Sequence, residues 1–389
     1  MDFSISEQAR LLQKTMRDFV EKECFPVEQE MMRKEPDWVE LPRDIFQDLR
    51  GKLRQMGMWA MDVPPEYGGK GLDTVSYCLV TEEQYRTTLG TAHHSPFWGP
   101  SSVMLFPALY RGTPYQKENY LLPMIRGEKR AALAQTEPEA GADAAAIKTT
   151  ATRDGADWVI EGTKRFCTMA DRVHFLYVST VTDKTLGRNG FSVFLVDTNT
   201  PGLKIERIIP VIRPQYSTEL VFDHCRVPDR QRLEGSGWEV TQEGLGKLRM
   251  LMAQGCVGRA VRAVELATSY VQKRVTFGQP LATRQAIQWM LADSAVDIHL
   301  TRLLALEGAW KVDQGQDVRQ EASMIKVFAT EMCFRALDRC IQCFGGLGVT
   351  KELPLERWFR EMRVLRIGEG PSEVHRMVIA RNLLRGWRP

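Results

Sequence analysis

The 389-residue chain reads as an α+β protein, mainly α. A helical domain (residues 1–125) is expected to precede a middle antiparallel β-sheet or small barrel (126–235) and a C-terminal helical bundle (236–389). Two observations predict this order. Apolar residues recur at helical spacing before about residue 125 and again after about 236, while the stretch between is rich in β-branched and aromatic residues. The length suits two or three domains of ~100–200 residues each, and 43% hydrophobic with 26% charged residues is an ordinary globular balance.

Taken in order, Ser4 and Glu7 have the spacing of a capping box, so the first helix is expected there. Leu12, Met16, Phe19 and Val20 then share a face, until Pro26 is expected to interrupt the helix. Further helices run to about residue 125, broken at Pro64-Pro65 and Gly68-Gly69. Tyr67-Gly68-Gly69-Lys70-Gly71 lacks the Gly-Lys-Ser/Thr ending of a phosphate loop and reads as a turn-rich connector. In the middle segment, Thr150–Thr152 and Trp158–Ile160 flank the hairpin turn Asp154-Gly155. Val173–Thr180, Phe191–Val196 and Leu220–Pro228 supply further strands, with a turn at Thr200-Pro201-Gly202. No room remains for βαβ crossovers, which argues against a parallel nucleotide-binding sheet. In the last segment, Val318–Phe344 carries two apolar stripes, through Ile325, Phe328 and Met332 and through Val327, Phe334 and Ile341. It should be a helix buried in a bundle or an oligomer contact.

Composition excludes several classes. Lys and Arg number 52 against 49 Asp and Glu, and a net charge of +3 does not suggest a nucleic-acid binder. No run approaches the ~20 apolar residues of a membrane span. The eight cysteines are scattered between Cys24 and Cys343, and Met1-Asp2-Phe3 runs into an amphipathic segment rather than a leader. A cytoplasmic protein in a reducing compartment is expected, with a mature mitochondrial matrix form as the alternative.

Four segments carry candidate chemistry. Ala134-Gln135-Thr136-Glu137-Pro138-Glu139-Ala140-Gly141-Ala142-Asp143 opens the β module, and Arg274-Val275-Thr276-Phe277-Gly278 ends a helix, with Gln285 beyond it. Gln342-Cys343-Phe344-Gly345-Gly346-Leu347-Gly348-Val349 follows the buried helix, with Glu352, Arg357 and Glu361 further on. Arg366-Ile367-Gly368-Glu369-Gly370-Pro371-Ser372-Glu373 precedes the last helix. Together, over essentially the whole chain, they resemble the acyl-CoA dehydrogenases, FAD-dependent enzymes that desaturate the α,β carbons of acyl-CoA thioesters. The resemblance implies a C-terminal four-helix bundle, a homotetramer built as a dimer of dimers, and an electron-transfer flavoprotein as redox partner.

By the same resemblance Gln135, Thr136, Phe166 and Thr168 meet the isoalloxazine. Arg274, with Phe277 and Gln285, holds the diphosphate of a neighbouring subunit's FAD; Gln342, Gly345 and Gly346 form the other half of that shared site. Glu373 joins the cofactor set, and Ala142, Arg249 and Gly370 the substrate set. Each has a plainer alternative. The 136–143 segment also reads as a strand-to-loop connection, Arg274 as a helix-end cation, and the glycines as a helix stop. They are not a Gly-x-Gly-x-x-Gly site, since Lys351 fills the third glycine position.

Glu369 is the candidate base, flanked by glycines that permit a strained backbone and close approach. The resemblance has it take the α-proton while the β-hydrogen leaves as hydride to flavin N5. Its own backbone N–H and a ribityl hydroxyl of FAD then stabilise the developing enolate-like charge. Burial by the acyl chain would raise its pKa. The plainer alternative is a cap of the final helix. A subset of the family carries its base on the central helix, at the position of Leu248, which cannot take a proton.

The chain departs from the family at several points. Gln135 replaces an aliphatic residue, Pro371 a threonine and Gly246 an aspartate; Ala142 replaces a hydroxyl residue, a loss of about 0.5–1.5 kcal/mol at most. Phe97 and Trp98, in the Ser95–Gly99 segment, would shorten the acyl pocket if they point inward, and Gly368 would widen it near the reacting carbons. Both hints suit a branched, cyclic or aromatic acyl group. Cys340-x-x-Cys343 reads as core packing, His93-His94 as a surface loop, and His375 as partly exposed. Rival readings are a flavin monooxygenase or oxidase on the same fold, and an acyl-CoA-binding protein without turnover.

Overall fold

The computed structural model describes residues 4–90, 95–97, 106–213 and 215–388. Helix α1 (Glu7–Phe19) starts after Ser6, whose Oγ accepts from the Ala9 N–H at 3.2 Å. The cap is therefore Ser6 and not Ser4, because the first helical residue is Glu7 and the capping oxygen must come from the residue just before it. Nor does Pro26 interrupt the chain. Val20–Cys24 forms a π turn, and α2 (Phe25–Lys34) continues directly with Pro26 in its first turn. The wider turn makes room where proline lacks a donor and would crowd the carbonyl four residues back.

After α3 (Arg43–Gln55) comes α4 (Thr74–Gln84), in which every residue except Val75 is buried. Such a helix can only sit inside other helices. It is wedged against α5 (Leu245–Lys273) and α6 (Gln285–Asp313). Helices α5 and α6 pack together with α7 (Arg319–Phe344), and α7 carries α8 (Leu355–Leu365) and α9 (Ser372–Leu384). One continuous apolar core runs from Met16, Leu49 and Val80 to Val257, Met332 and Trp358, so the two helical domains share an interior. Cys340 and Cys343 are buried free thiols in it, as expected of packing residues.

The middle module is one seven-stranded sheet. Its strands are β1 (Ala131–Ala134), β2 (Thr150–Asp154), β3 (Asp157–Thr168), β4 (Phe175–Val181), β5 (Phe191–Asp197), β6 (Leu203–Pro210) and β7 (Tyr216–Pro228). They lie in the order β1-β4-β2-β3-β7-β6, with β5 on the side of β4. The β2–β3 hairpin closes at Gly155, which takes φ 61°. The sheet is not purely antiparallel, since β1 pairs β4 in parallel and β2 touches β4 in parallel at Thr150. The β2–β3 hairpin runs out and back between them, so the chain returns to β4 in the direction of β1 without a helical crossover.

Two glycines let α5 approach α4. A Cβ at Gly258 would fall 2.0 Å from the Glu82 carbonyl oxygen, and one at Gly255 would lie 3.1 Å from the Tyr85 ring. The Gly258 contact is with backbone and has no side chain to yield. Gly258→Ala should therefore destabilise the fold by about 1–3 kcal/mol, read as a lower urea midpoint. An unchanged midpoint would show that the helices can separate freely.

Candidate active site

The connection from α8 to α9 is closed by backbone bonds. Gly368 N–H donates to the Val364 carbonyl at 2.9 Å and Ser372 N–H to that of Arg366 at 3.0 Å. Between them Glu369 takes φ 55° and Gly370 φ 91°. Left-handed backbone costs a non-glycine residue roughly 1–2 kcal/mol and persists only where its surroundings fix it. Glu369 does not cap α9; the N-cap position is Pro371, and no side chain caps it. The strained backbone therefore does not serve to cap the helix.

Glu369 remains accessible to water, yet protein crowds it closely. That crowding pushes its carboxyl above the ordinary carboxylate range, against the opposing pull of Arg249, Lys326 and Arg213. Arg213 and Arg249 each bury an Nε that has no hydrogen-bond partner. The fully buried Lys326 donates Nζ to the Arg366 carbonyl at 3.4 Å, and burial lowers its pKa to about 8. Of these three cations the sequence reading picked out only Arg249. Lys326 was legible as a charge amid the apolar stripes of α7; Arg213, in the β6–β7 loop, carried no local signal. His375 is 3% exposed rather than partly exposed, because α9 turns it inward beneath the Glu369 loop.

A buried ion pair orders the start of the β module. Lys164 Nζ donates to Glu137 Oε1 at 2.8 Å and to the Gln135 carbonyl at 3.0 Å. The Glu137 carboxylate also accepts from the N–H groups of Lys148 (2.6 Å) and Thr149 (2.9 Å). Arg165 N–H reaches the Thr136 carbonyl at 2.7 Å. Gln135 and Thr136 are thereby pinned beside the end of β3, which carries Phe166 and Thr168. A register shift between Lys164 and Cys167 re-aims the strand, and Phe166 stands out, 52% exposed, with φ 57°. Ala142 is exposed in the following loop.

The remaining candidates lie elsewhere. Arg274 ends α5, and Phe277 sits in the small hairpin of β8 (Val275–Thr276) and β9 (Gln279–Pro280), 97% exposed with φ 50°. Gln285 opens α6 and is exposed. At the end of α7, a Cβ on Gly345 or Gly346 would meet nothing within 4 Å. Tyr270 stacks on Phe344 at 4.5 Å, so the ends of α5 and α7 adjoin and bring Gln342 toward the Arg274 hairpin. Helical rise of ~1.5 Å per residue puts Arg274 about 38 Å from Arg249 along α5. One chain thus presents two separate halves. Glu373 belongs with the first, close enough for its charge to act on Lys326. Phe97 is 7% exposed and packs edge-on against Phe19 at 6.2 Å, inside the helical core; Trp98, Gly99, His93 and His94 lie outside the described residues.

Burial pushes the Glu137 carboxyl up, but the Lys164 charge and the donors around it leave it below its usual value. The stability it contributes is present above the ordinary carboxylate pKa and is lost as pH falls through the lowered one. Lys164→Met, which strands this carboxylate, should cost about 3–5 kcal/mol. Denaturant unfolding at neutral pH measures this, and the difference from wild type should shrink in acid.

An exposed guanidinium, open glycine backbone and a projecting aromatic beside pinned backbone suit a long cofactor with both phosphates and a flat ring. Comparison with known proteins agrees. Family profiles match residues 6–128 as acyl-CoA dehydrogenase, N-terminal domain, 132–225 as the middle domain and 235–384 as the C-terminal domain. The (R)-benzylsuccinyl-CoA dehydrogenase of Thauera aromatica is 36% identical over 398 residues, covering 100% of this chain and 98% of that protein. The solved butyryl-CoA dehydrogenase of Megasphaera elsdenii superposes with a TM-score of 0.87 at 29% identity, over 99% of this chain and 100% of that chain. An FAD complex of PigA gives 0.89 at 25% identity, over 99% and 100%. The cofactor is FAD, and with all three domains matched in order the chain belongs to the acyl-CoA dehydrogenase family of oxidoreductases.

Proposed function

We propose that this enzyme desaturates the α,β carbons of an acyl-CoA thioester with Glu369 as the base. The observation that carries the reading is a single carboxylate, on left-handed backbone, crowded enough to raise its pKa and facing three cations. A thioester α-proton is a very weak acid, so the base must be strong and the developing charge must be held. Glu369 takes the proton, and its negative charge passes to the thioester oxygen, which its own backbone N–H is placed to receive. Arg249, Arg213 and Lys326 remain within the field of that charge throughout. When bound, FAD supplies the acceptor for the β-hydrogen and its electron pair.

In this reading Gln135, Thr136, Phe166 and Thr168 flank the flavin ring, with Glu373 nearby, while Ala142, Arg249 and Gly370 meet the substrate. Arg274, Phe277 and Gln285, with Gln342, Gly345 and Gly346, serve the phosphate end of a cofactor held by a neighbouring copy. The split of the half-sites within one chain supports this. So does the row of exposed apolar residues on α6, Trp289, Val296, Leu300, Leu303 and Trp310, which suits helix packing between copies in a dimer-of-dimers tetramer. The three domains divide near residues 125 and 235. Eight free, buried cysteines suit a reducing compartment such as the cytoplasm. An electron-transfer flavoprotein is the redox partner this family assignment favours. Gly368, whose Cβ would meet only the Val364 carbonyl at 3.8 Å, leaves width beside the base for a branched or aromatic acyl group.

An anaerobic titration of the FAD-loaded protein with a panel of acyl-CoAs tests the reaction: bleaching of the oxidised flavin band is expected with branched or aromatic acyl groups. A spectral shift without bleaching across the panel would leave a binding protein. Glu369→Gln should slow bleaching about 10²–10⁴-fold while FAD and acyl-CoA still bind.

The pH dependence follows from the raised Glu369 pKa. A base works deprotonated, so kcat/KM should fall as pH drops through a value above the ordinary carboxylate range. Arg249→Met removes a cation that lowers this pKa, so the acid limb should move to higher pH. A limb that stays fixed or moves down would contradict the arrangement.

A further inference from the structure

His375 lies in α9, six residues beyond Glu369, and only 3% of it is exposed. Its Nε2 stands 3.1 Å from the Glu369 carbonyl oxygen. A carbonyl oxygen can only accept, so Nε2 carries the proton. The other nitrogen, Nδ1, is buried without a hydrogen-bond partner. Burial, reinforced by the nearby Arg249 and Lys326, keeps the ring neutral and its pKa at about 4. Gly370, at φ 91°, lies close to the ring; a Cβ there would come 2.8 Å from Nε2.

The bonds of Gly368 and Ser372 hold the two sides of the loop. Among the described residues, the His375 bond is the single side-chain hydrogen bond to the backbone of residues 367–371. It acts on the carbonyl of the strained residue itself. The same residue bears the carboxylate and the N–H that the proposed reaction uses, and its φ and ψ set where the Cβ and the N–H start from.

We propose that His375 is a positioning residue for the desaturation: by holding the Glu369 carbonyl, it keeps Glu369 left-handed and so aims carboxylate and N–H together. The inference rests on Glu369 being the base. The reacting step is unchanged. The α C–H bond breaks, the proton goes to the Glu369 carboxylate, and the electron pair spreads onto the thioester oxygen.

Phenylacetyl-CoA isolates this step, because it has α-hydrogens but no hydrogen on its β-carbon. In D2O the FAD-loaded enzyme should exchange those α-hydrogens for deuterium, followed by NMR. Gln and Met resemble histidine in reach, but only Gln brings an N–H. His375→Met should slow exchange about tenfold to a hundredfold and His375→Gln restore it to within about threefold, with the Kd for phenylacetyl-CoA little changed in either. Met exchanging at the wild-type rate, or Gln as slow as Met, would overturn the proposal. Should the Met variant not fold, His375→Asn replaces it: its N–H is too short to reach, and it must be slow where Gln is fast. Glu369→Gln separates the two levels. If it exchanges as fast as wild type, the base lies elsewhere and both readings fall; if it is silent, the His375 series stands as a test on its own.

Discussion

The active site depends on keeping one carboxylate near several cations without letting it pair. A close ion pair would depress the pKa of Glu369 and make it a poor base; burial with no cation nearby would raise the pKa so far that the acid never ionised. The chain takes a middle course, with Arg213, Arg249 and Lys326 acting through space against the crowding that raises it. Some buried cations elsewhere in the molecule sit close to a carboxylate. Arg86 holds Glu265 at 2.9 Å, and Arg259 lies over the Tyr85 ring at 4.5 Å and faces Glu361 at 3.8 Å. At the site the buried Nε atoms of Arg213 and Arg249 have no partner, and Lys326 is held by a carbonyl. Under the proposed reaction, this positive field would receive the negative charge as it moves from carboxylate to thioester oxygen.

Holding that arrangement requires rigid elements on every side. Arg249 rides on α5, which packs on α4 through glycine contacts, while α4 is held on its other side by Arg302 of α6, which grips Glu82 with two hydrogen bonds of 2.9 and 2.7 Å. Glu369 hangs from the end of α8, anchored by Trp358, which is fully buried. Arg357 on the same helix stacks over Trp38 at 4.1 Å and donates to its carbonyl at 2.9 Å. The strain at Glu369 is therefore borne by packing far from the reacting atoms.

How much of this was legible in the sequence depended on the range of the interaction. The domain order followed from local periodicity, and the β2–β3 hairpin from Asp154-Gly155. Strand β1, Ala-Ala-Leu-Ala, has no β-branched residue and is a strand only because β4 pairs with it; that pairing is parallel and long-range, so the antiparallel expectation missed it. Ser6 against Ser4, and the π turn before Pro26, are decided by one-residue differences in where a helix starts or widens. Glu369 was legible because glycines on both sides mark a strained residue. The inward turn of His375 and the approach of Arg213 were not, since burial of a polar side chain is settled by elements distant in sequence.

The far end of the bundle extends the same reasoning. Phe277 keeps a left-handed backbone while almost wholly exposed, with Arg274 and Gln285 exposed beside it. Strained backbone under an aromatic 97% exposed is hard to account for by the packing of a single chain, since among the described residues it meets little beyond the Arg284 guanidinium, 5.9 Å from its ring centroid. The open backbone at Gly345 and Gly346 lies on the same end, joined to it through the Tyr270–Phe344 stack. Glu369 and the three cations around it lie toward the other end. The ~38 Å that α5 puts between Arg249 and Arg274 keeps the two halves apart within one chain. Under the proposed assembly each copy lends its exposed end to a neighbour, and the apolar row on α6 sits on the bundle that would make that contact. In that proposal the long helices have two tasks, to hold Arg249 and Lys326 near Glu369 at one end and to reach toward another subunit at the other.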